Sequence, residues 1–205
     1  MSDAGAEGLT IDAASLPRTM FGYRGLTWWA TAGFMLIEGT TLAVLLVCYV
    51  YLRRSFTEWP PAPVPLPDLL VPSINLAVLL VTILPMAFAR RAAHALDLRG
   101  VRLFLSIAVL LSVVAVVLRG FEFDALNVRW DQYAYGSVAW ILVGMHATLL
   151  VVDLVESAVI TTMMFRRDVE QKHYTDVEES ALYQFFLSLT WVPVYAMVYL
   201  GPRVF

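Results

Sequence analysis

Glu38 stands near the middle of an apolar stretch, Trp28 to Leu52, that is long enough to cross a bilayer. A carboxyl group at that depth is costly, and the surrounding Phe34-Met35-Leu36-Ile37 and Gly39-Thr40-Thr41 supply no cation. The acid must be protonated, face a polar cleft, or find a partner on another helix. A second polar group lies between Tyr135 and Phe165, where His146, Asp153 and Glu156 are spaced by seven and three residues. On a helix of about 3.6 residues per turn that spacing places them within roughly a 100° sector of the surface. Three chemistries fit such a face: a metal site, a proton relay, or a hydrogen-bonded seam between helices. One His with two carboxylates and no nearby thiol matches no common ligand spacing, so metal is the weakest of the three. His94 and His173 fall in loops and read as solvated.

The elements that must position these groups are helices in a membrane. The 205 residues are 60% hydrophobic with a mean hydropathy of +0.71, against roughly 45–50% apolar usage in soluble domains. Lipid-exposed backbone must pair internally, and the short alternating segments of a β-barrel are absent, so an all-α membrane bundle is expected. Five spans qualify: Trp28 to Leu52, Leu69 to Ala89, Val101 to Leu118, Tyr135 to Phe165, and Ala181 to Leu200. The stretch 1–17 is polar and acidic, lacks the apolar region of a secretory signal, and reads as a mobile tail ahead of a membrane domain over 18–205. A net charge of -3, with no basic block beyond Arg90-Arg91 and Arg166-Arg167, excludes nucleic acid as a partner. Cys48 is the sole cysteine, so no intrachain disulfide forms, and it reads as a small core or lipid-facing residue.

Finer features follow from the same physics. The third span is short, and Arg102 and Arg119 at its ends are expected to snorkel to the two headgroup layers. The run Trp59-Pro60-Pro61-Ala62-Pro63-Val64-Pro65-Leu66-Pro67 cannot be helical and is expected as an extended strip over the outer surface, either docked or a stiff connector. Pro85 should kink the second helix, and Asn75 near its start can hydrogen-bond to a neighbour. Nine Lys and Arg residues fall in the N-terminal tail, second loop and fourth loop, against five in the other loops and the C-terminus. Positive-inside then places the N-terminus in the cytoplasm and the C-terminus outside.

Taken in order, these pieces carry a resemblance: Leu36-Ile37-Glu38, Trp59-Pro60-Pro61, Val71-Pro72-Ser73-Ile74-Asn75, Gly120-Phe121-Glu122-Phe123, Asp131 with Tyr135-Gly136-Ser137, Gly144-Met145-His146, and Glu178 with Tyr183 and Trp191. From about Leu26 to Tyr199 the chain resembles subunit III of haem-copper terminal oxidases, in the five-helix bacterial form. The resemblance implies a non-catalytic subunit of the bacterial cytoplasmic membrane, packed against a catalytic subunit and holding phospholipid in a cleft between its helices. Glu38, Glu122 and His146 match the family's polar positions. With Asp153 and Glu156 they are the proton- or lipid-associated candidates, and Asn75, Glu178, Tyr183 and Trp191 are the interhelical packing candidates. The chain departs from the family at Leu149, where a second His is usual, Asp153 for Gly, Phe185 for His, and Ser188 for Asp. Asp153 and Glu156 then read as a local replacement for the missing polar cluster between the last two helices. One intramembrane His and one Cys cannot build a haem-copper or dicopper centre, so this chain is expected to carry no cofactor, with haem and copper in partner subunits. Two other readings are an accessory protein of a nitric oxide reductase and a stand-alone transporter or assembly factor. Neither an inverted repeat nor paired broken helices support a transporter.

Overall fold

The computed structural model describes residues 21–166 and 169–204. The tail over 1–17, the Pro17-Arg18-Thr19 start and Arg167 lie outside the described residues. After a short 3-10 turn at Gly22–Arg24 come α1 (Leu26–Ser55), α2 (Leu70–His94), α3 (Leu98–Ala125), α4 (Ala134–Met164) and α5 (His173–Tyr195). A π-helical turn, Ala196–Leu200, continues α5 into α6 (Gly201–Val204). Five of these segments are long and apolar enough to span a membrane, counting α5 through α6 as one, and the described residues contain no strand.

Helices α2, α3, α4 and α5 pack in a ring, each against two of the others, while α1 leans on α4 and α5 from outside. The peripheral place of α1 is written in its burial. Only Leu42 and Tyr49, seven residues apart, are buried, and Phe34, Leu36, Ile37, Val44, Val47 and Tyr51 are exposed. Lipid tails are as apolar as these side chains, so association rests on close packing and interhelical hydrogen bonds. One apolar cluster joins Tyr49, Trp59, Leu79, Tyr135, Leu142, Trp191 and Tyr199, and a second joins Met86, Ala93, Val101, Leu105, Met164 and Val177. The Ser157 and Ser180 hydroxyls meet at 3.1 Å across the α4–α5 seam.

Several expectations are corrected. The third span is not short: α3 runs 28 residues to Ala125, because Arg119 does not stop at the headgroups but is 2% exposed inside the bundle. Arg102 holds the end of α4 instead of simply reaching for headgroups, donating to the carbonyls of Met164 at 2.7 Å and Arg166 at 3.4 Å. The fifth helix begins eight residues earlier than expected, at His173, which puts Glu178 and the residues around it on the helix. His94 is the last residue of α2 rather than a loop residue; its side chain is exposed, as expected, and also contacts Glu178. His173 begins α5 and accepts the Glu170 N–H at Nδ1 over 3.1 Å.

The proline-rich segment is non-helical and is anchored at defined points. Trp59 is buried, donates its indole N–H to Tyr49 at 2.9 Å, and meets the Tyr135 ring edge-on. Its far end is clipped where Asp68 N–H donates to Ala125, Asn127 donates to the Leu66 carbonyl and Arg203 donates to the Pro67 carbonyl. Gly136 has a steric reason to be glycine: a Cβ there would sit 2.3 Å from the Arg129 carbonyl oxygen.

Candidate functional site

The polar residues of the spans gather into three groups. The first surrounds Glu38. The carboxylate of α1 accepts the Tyr183 hydroxyl of α5 at 2.7 Å. Gly39 permits the approach, since a Cβ there would already touch the Phe186 ring at 3.3 Å. Of the options open to a mid-span acid, Glu38 takes two, because it also lines a cavity of about 310 Å³. Thr27, Thr31 and Phe34 of α1, Glu156 of α4, and Glu179 and Tyr183 of α5 form its wall. Asp153 lies behind this wall within electrostatic reach of Glu38 and Glu156, 1% exposed, and neither of its oxygens has a hydrogen-bond partner.

The second group is the buried heart of the ring. Arg119 and Glu122, one turn apart on α3, form an ion pair with 3% and 0% of their side chains exposed. The Arg119 guanidinium also lies 3.5 Å from the centre of the Trp191 ring and donates to His146 Nδ1 at 3.2 Å. The opposite ring nitrogen, Nε2, is 3.0 Å from the Leu187 carbonyl. A guanidinium can only donate and a carbonyl only accept, so His146 is the neutral tautomer with its proton on Nε2. In that state it pins α3, α4 and α5 together. Asn75 of α2 is fully buried and turns its carboxamide to the Glu122 carboxyl group of α3, the cross-helix neighbour.

The third group closes the other end. Glu178, 2% exposed, accepts from Arg90 at 2.9 Å, contacts His94 Nε2 at 3.0 Å, and accepts the Gly22 N–H at 2.9 Å. It thereby ties α2, α5 and the entry to α1.

The expected single face of His146, Asp153 and Glu156 is split. His146 belongs with Arg119 and Glu122, whereas Asp153 and Glu156 belong with Glu38. The expected local replacement between the last two helices is therefore divided: His146, Ser157, Ser180 and Gln184 bridge elements in the core, and the Gln184 carboxamide accepts from the Ser112 hydroxyl and donates to the Ser188 hydroxyl, at 3.3 Å each. Sequence reasoning missed Arg119, Asp176 and Glu179. The i, i+3 spacing of Arg119 and Glu122 inside an apolar run was the available signal for the first. For the other two it was the one-face spacing of Asp176, Glu179 and Tyr183.

Among the described residues, no group of three or more His, Cys, Asp and Glu side chains is placed to hold a metal ion. Against known proteins, the family model described as "Cytochrome c oxidase subunit III" matches residues 25–202. The chain belongs to that family. A cytochrome c oxidase subunit 3 from Synechocystis sp. is 22% identical, covering 87% of this chain and 77% of the relative. One from Podospora anserina is 21% identical over 80% of this chain and 64% of its own length. The Oryctolagus cuniculus subunit 3 is 24% identical over 69% and 54%. The chain thus spans between about half and three quarters of these relatives. The matched stretch takes in the five spans up to Pro202 and every polar side chain of the three groups.

Proposed function

We propose that this chain is the non-catalytic subunit III of a bacterial respiratory haem-copper oxidase, bracing the catalytic subunit in the cytoplasmic membrane and supplying protons or lipid to it. The observation that carries this reading is the family match over residues 25–202, which runs through the five-helix body; the cavity that Glu38 lines supports it. Haem and copper belong to the partner subunits. The exposed apolar flank of α1 faces phospholipid or a neighbouring subunit, and the N-terminus lies in the cytoplasm. The burial of Arg119 supports that orientation, since it removes one of the five cations counted on the opposite side.

In this reading Glu38, Asp153 and Glu156 hold or pass protons, and Arg119, Glu122, His146 and Trp191 fix the helices around them. The Tyr183 hydroxyl keeps the Glu38 carboxyl oriented toward the cavity. The test is Glu38→Gln in the assembled oxidase. Sustained turnover falls, most at high pH where protons are scarce, while the complex assembles at normal yield. Unchanged turnover and pH profile in an assembled complex would leave Glu38 a packing residue.

A further inference from the structure

The Glu38 cavity carries more acid than a single proton-holding residue needs. Glu38, Glu156 and Glu179 all line it, and no Lys, Arg or His is among its lining residues. Behind it, Asp153 is buried with both carboxylate oxygens unpartnered, and the two acids whose charges reach it, Glu156 and Glu38, line the cavity. Four carboxylates around one cavity repel each other, and an unpartnered buried carboxyl group is strongly destabilising unless a cation or proton reaches it.

The acids also form a series. Asp176 sits in the first turn of α5, at the end of the bundle where the α4–α5 connection emerges. It lies within electrostatic reach of both Glu156 and Glu179. Glu179 follows one turn deeper beside Thr27, and Tyr183 a further turn in, bonded to Glu38. At about 1.5 Å per residue, the seven residues from Asp176 to Tyr183 reach roughly 10 Å inward from the end of α5. Three elements face the series: α1 gives Glu38, α4 gives Asp153 and Glu156, and α5 gives Asp176, Glu179 and Tyr183. The cations nearby, Lys172 and His173, stand at the mouth beside Asp176, and Glu178 is already taken by Arg90 and His94.

We propose that Asp176 and Glu179 form the mouth of a blind-ended proton inlet that leads through Glu156 to the Glu38–Asp153 pair. A hydronium ion at the mouth gives its proton to a carboxylate and becomes water. Each later step moves one proton from a carboxylic acid to the next carboxylate, and the cavity is large enough for several water molecules to bridge the gaps. A one-sign cleft with low-dielectric walls raises local cation concentration and capture rate. The inlet deepens the reading of this chain as an oxidase subunit by giving its proton-holding site an entrance. It adds two residues, Asp176 and Glu179, to the proton-holding set.

The test uses the full-length chain in lipid nanodiscs. Infrared spectroscopy follows the C=O stretch of a protonated carboxyl group that disappears in Asp153→Asn, and the rate at which that band shifts on transfer to heavy water is recorded. The near-isosteric pair Asp176→Asn and Glu179→Gln should slow the exchange about tenfold, the lower end of electrostatic focusing. Glu58→Gln, an exposed acid outside the inlet, should leave it unchanged. Equal exchange rates in the double variant and the parent overturn the inlet, as does the lack of any protonated Asp153 band from mildly acid to mildly alkaline pH. Neither failure touches the assignment as an oxidase subunit, which stands or falls on co-purification.

Discussion

Replacing Arg119 with Met should be among the most damaging single changes in the bundle, and its cost can be worked from its contacts. The substitution removes the partner of a Glu122 side chain that is 0% exposed, and leaves that carboxylate in a low-dielectric core. Breaking a buried pair from one side costs about 3–5 kcal/mol. The same guanidinium sits 3.5 Å from the centre of the Trp191 ring, a desolvated cation–π contact of about 2 kcal/mol, and it loses its bond to His146. These contacts share one group and do not add, so a total of roughly 4 kcal/mol is expected. Arg119→Met with Glu122→Leu together removes both charges, and such paired replacements are often neutral or stabilising by about 1–4 kcal/mol. The double variant should therefore recover most of the loss. The assay is reversible unfolding by sodium dodecyl sulfate titration in mixed lipid–detergent micelles, run as a double-mutant cycle. A double variant as unstable as Arg119→Met alone, or a single-variant cost below about 1 kcal/mol, would refute the account of this core.

Three further outcomes are expected. Tyr183→Phe removes the hydroxyl that bonds Glu38; it should cost about 1 kcal/mol in the same titration and be non-additive with Glu38→Gln, whereas additive effects would mean the two groups are uncoupled. Gly136→Ala pushes a Cβ to 2.3 Å from the Arg129 carbonyl, so it should destabilise by about 1–3 kcal/mol, and a neutral result would show that the 126–134 turn yields freely. A cysteine at Ala95, exposed between α2 and α3, should react with an impermeant thiol reagent only after the membrane is opened, and labelling of intact cells would invert the topology.

The five spans were legible because length and apolarity alone decide a transmembrane helix. Their ends were not, and Arg119 shows why. A charged residue near the edge of an apolar run reads equally as a snorkelling terminus or as half of a buried pair, and only the neighbouring helices decide. The His146, Asp153 and Glu156 sector was correct as helical geometry. The sector was nonetheless wide enough for its two edges to face different neighbours, so His146 turned to α3 and α5 and Glu156 to α1. Glu38 was recognisable from its cost in lipid, but its Tyr183 partner lies 145 positions away in sequence, beyond any local rule. His94 was read as a loop residue because α2 runs one more turn than its hydrophobic run suggests, bringing the ring to Glu178.

The central claim is that this chain serves a haem-copper oxidase without carrying the redox centre itself. Purification of the tagged full-length chain in mild detergent, with a reduced-minus-oxidised haem spectrum and subunit identification on the eluate, tests it most directly. The account predicts haem in the complex, held by a co-purifying multi-His subunit, and neither haem nor metal once this chain is separated from it. Stoichiometric haem or metal on the separated chain, or elution of the chain alone with no haem-bearing partner, would contradict it.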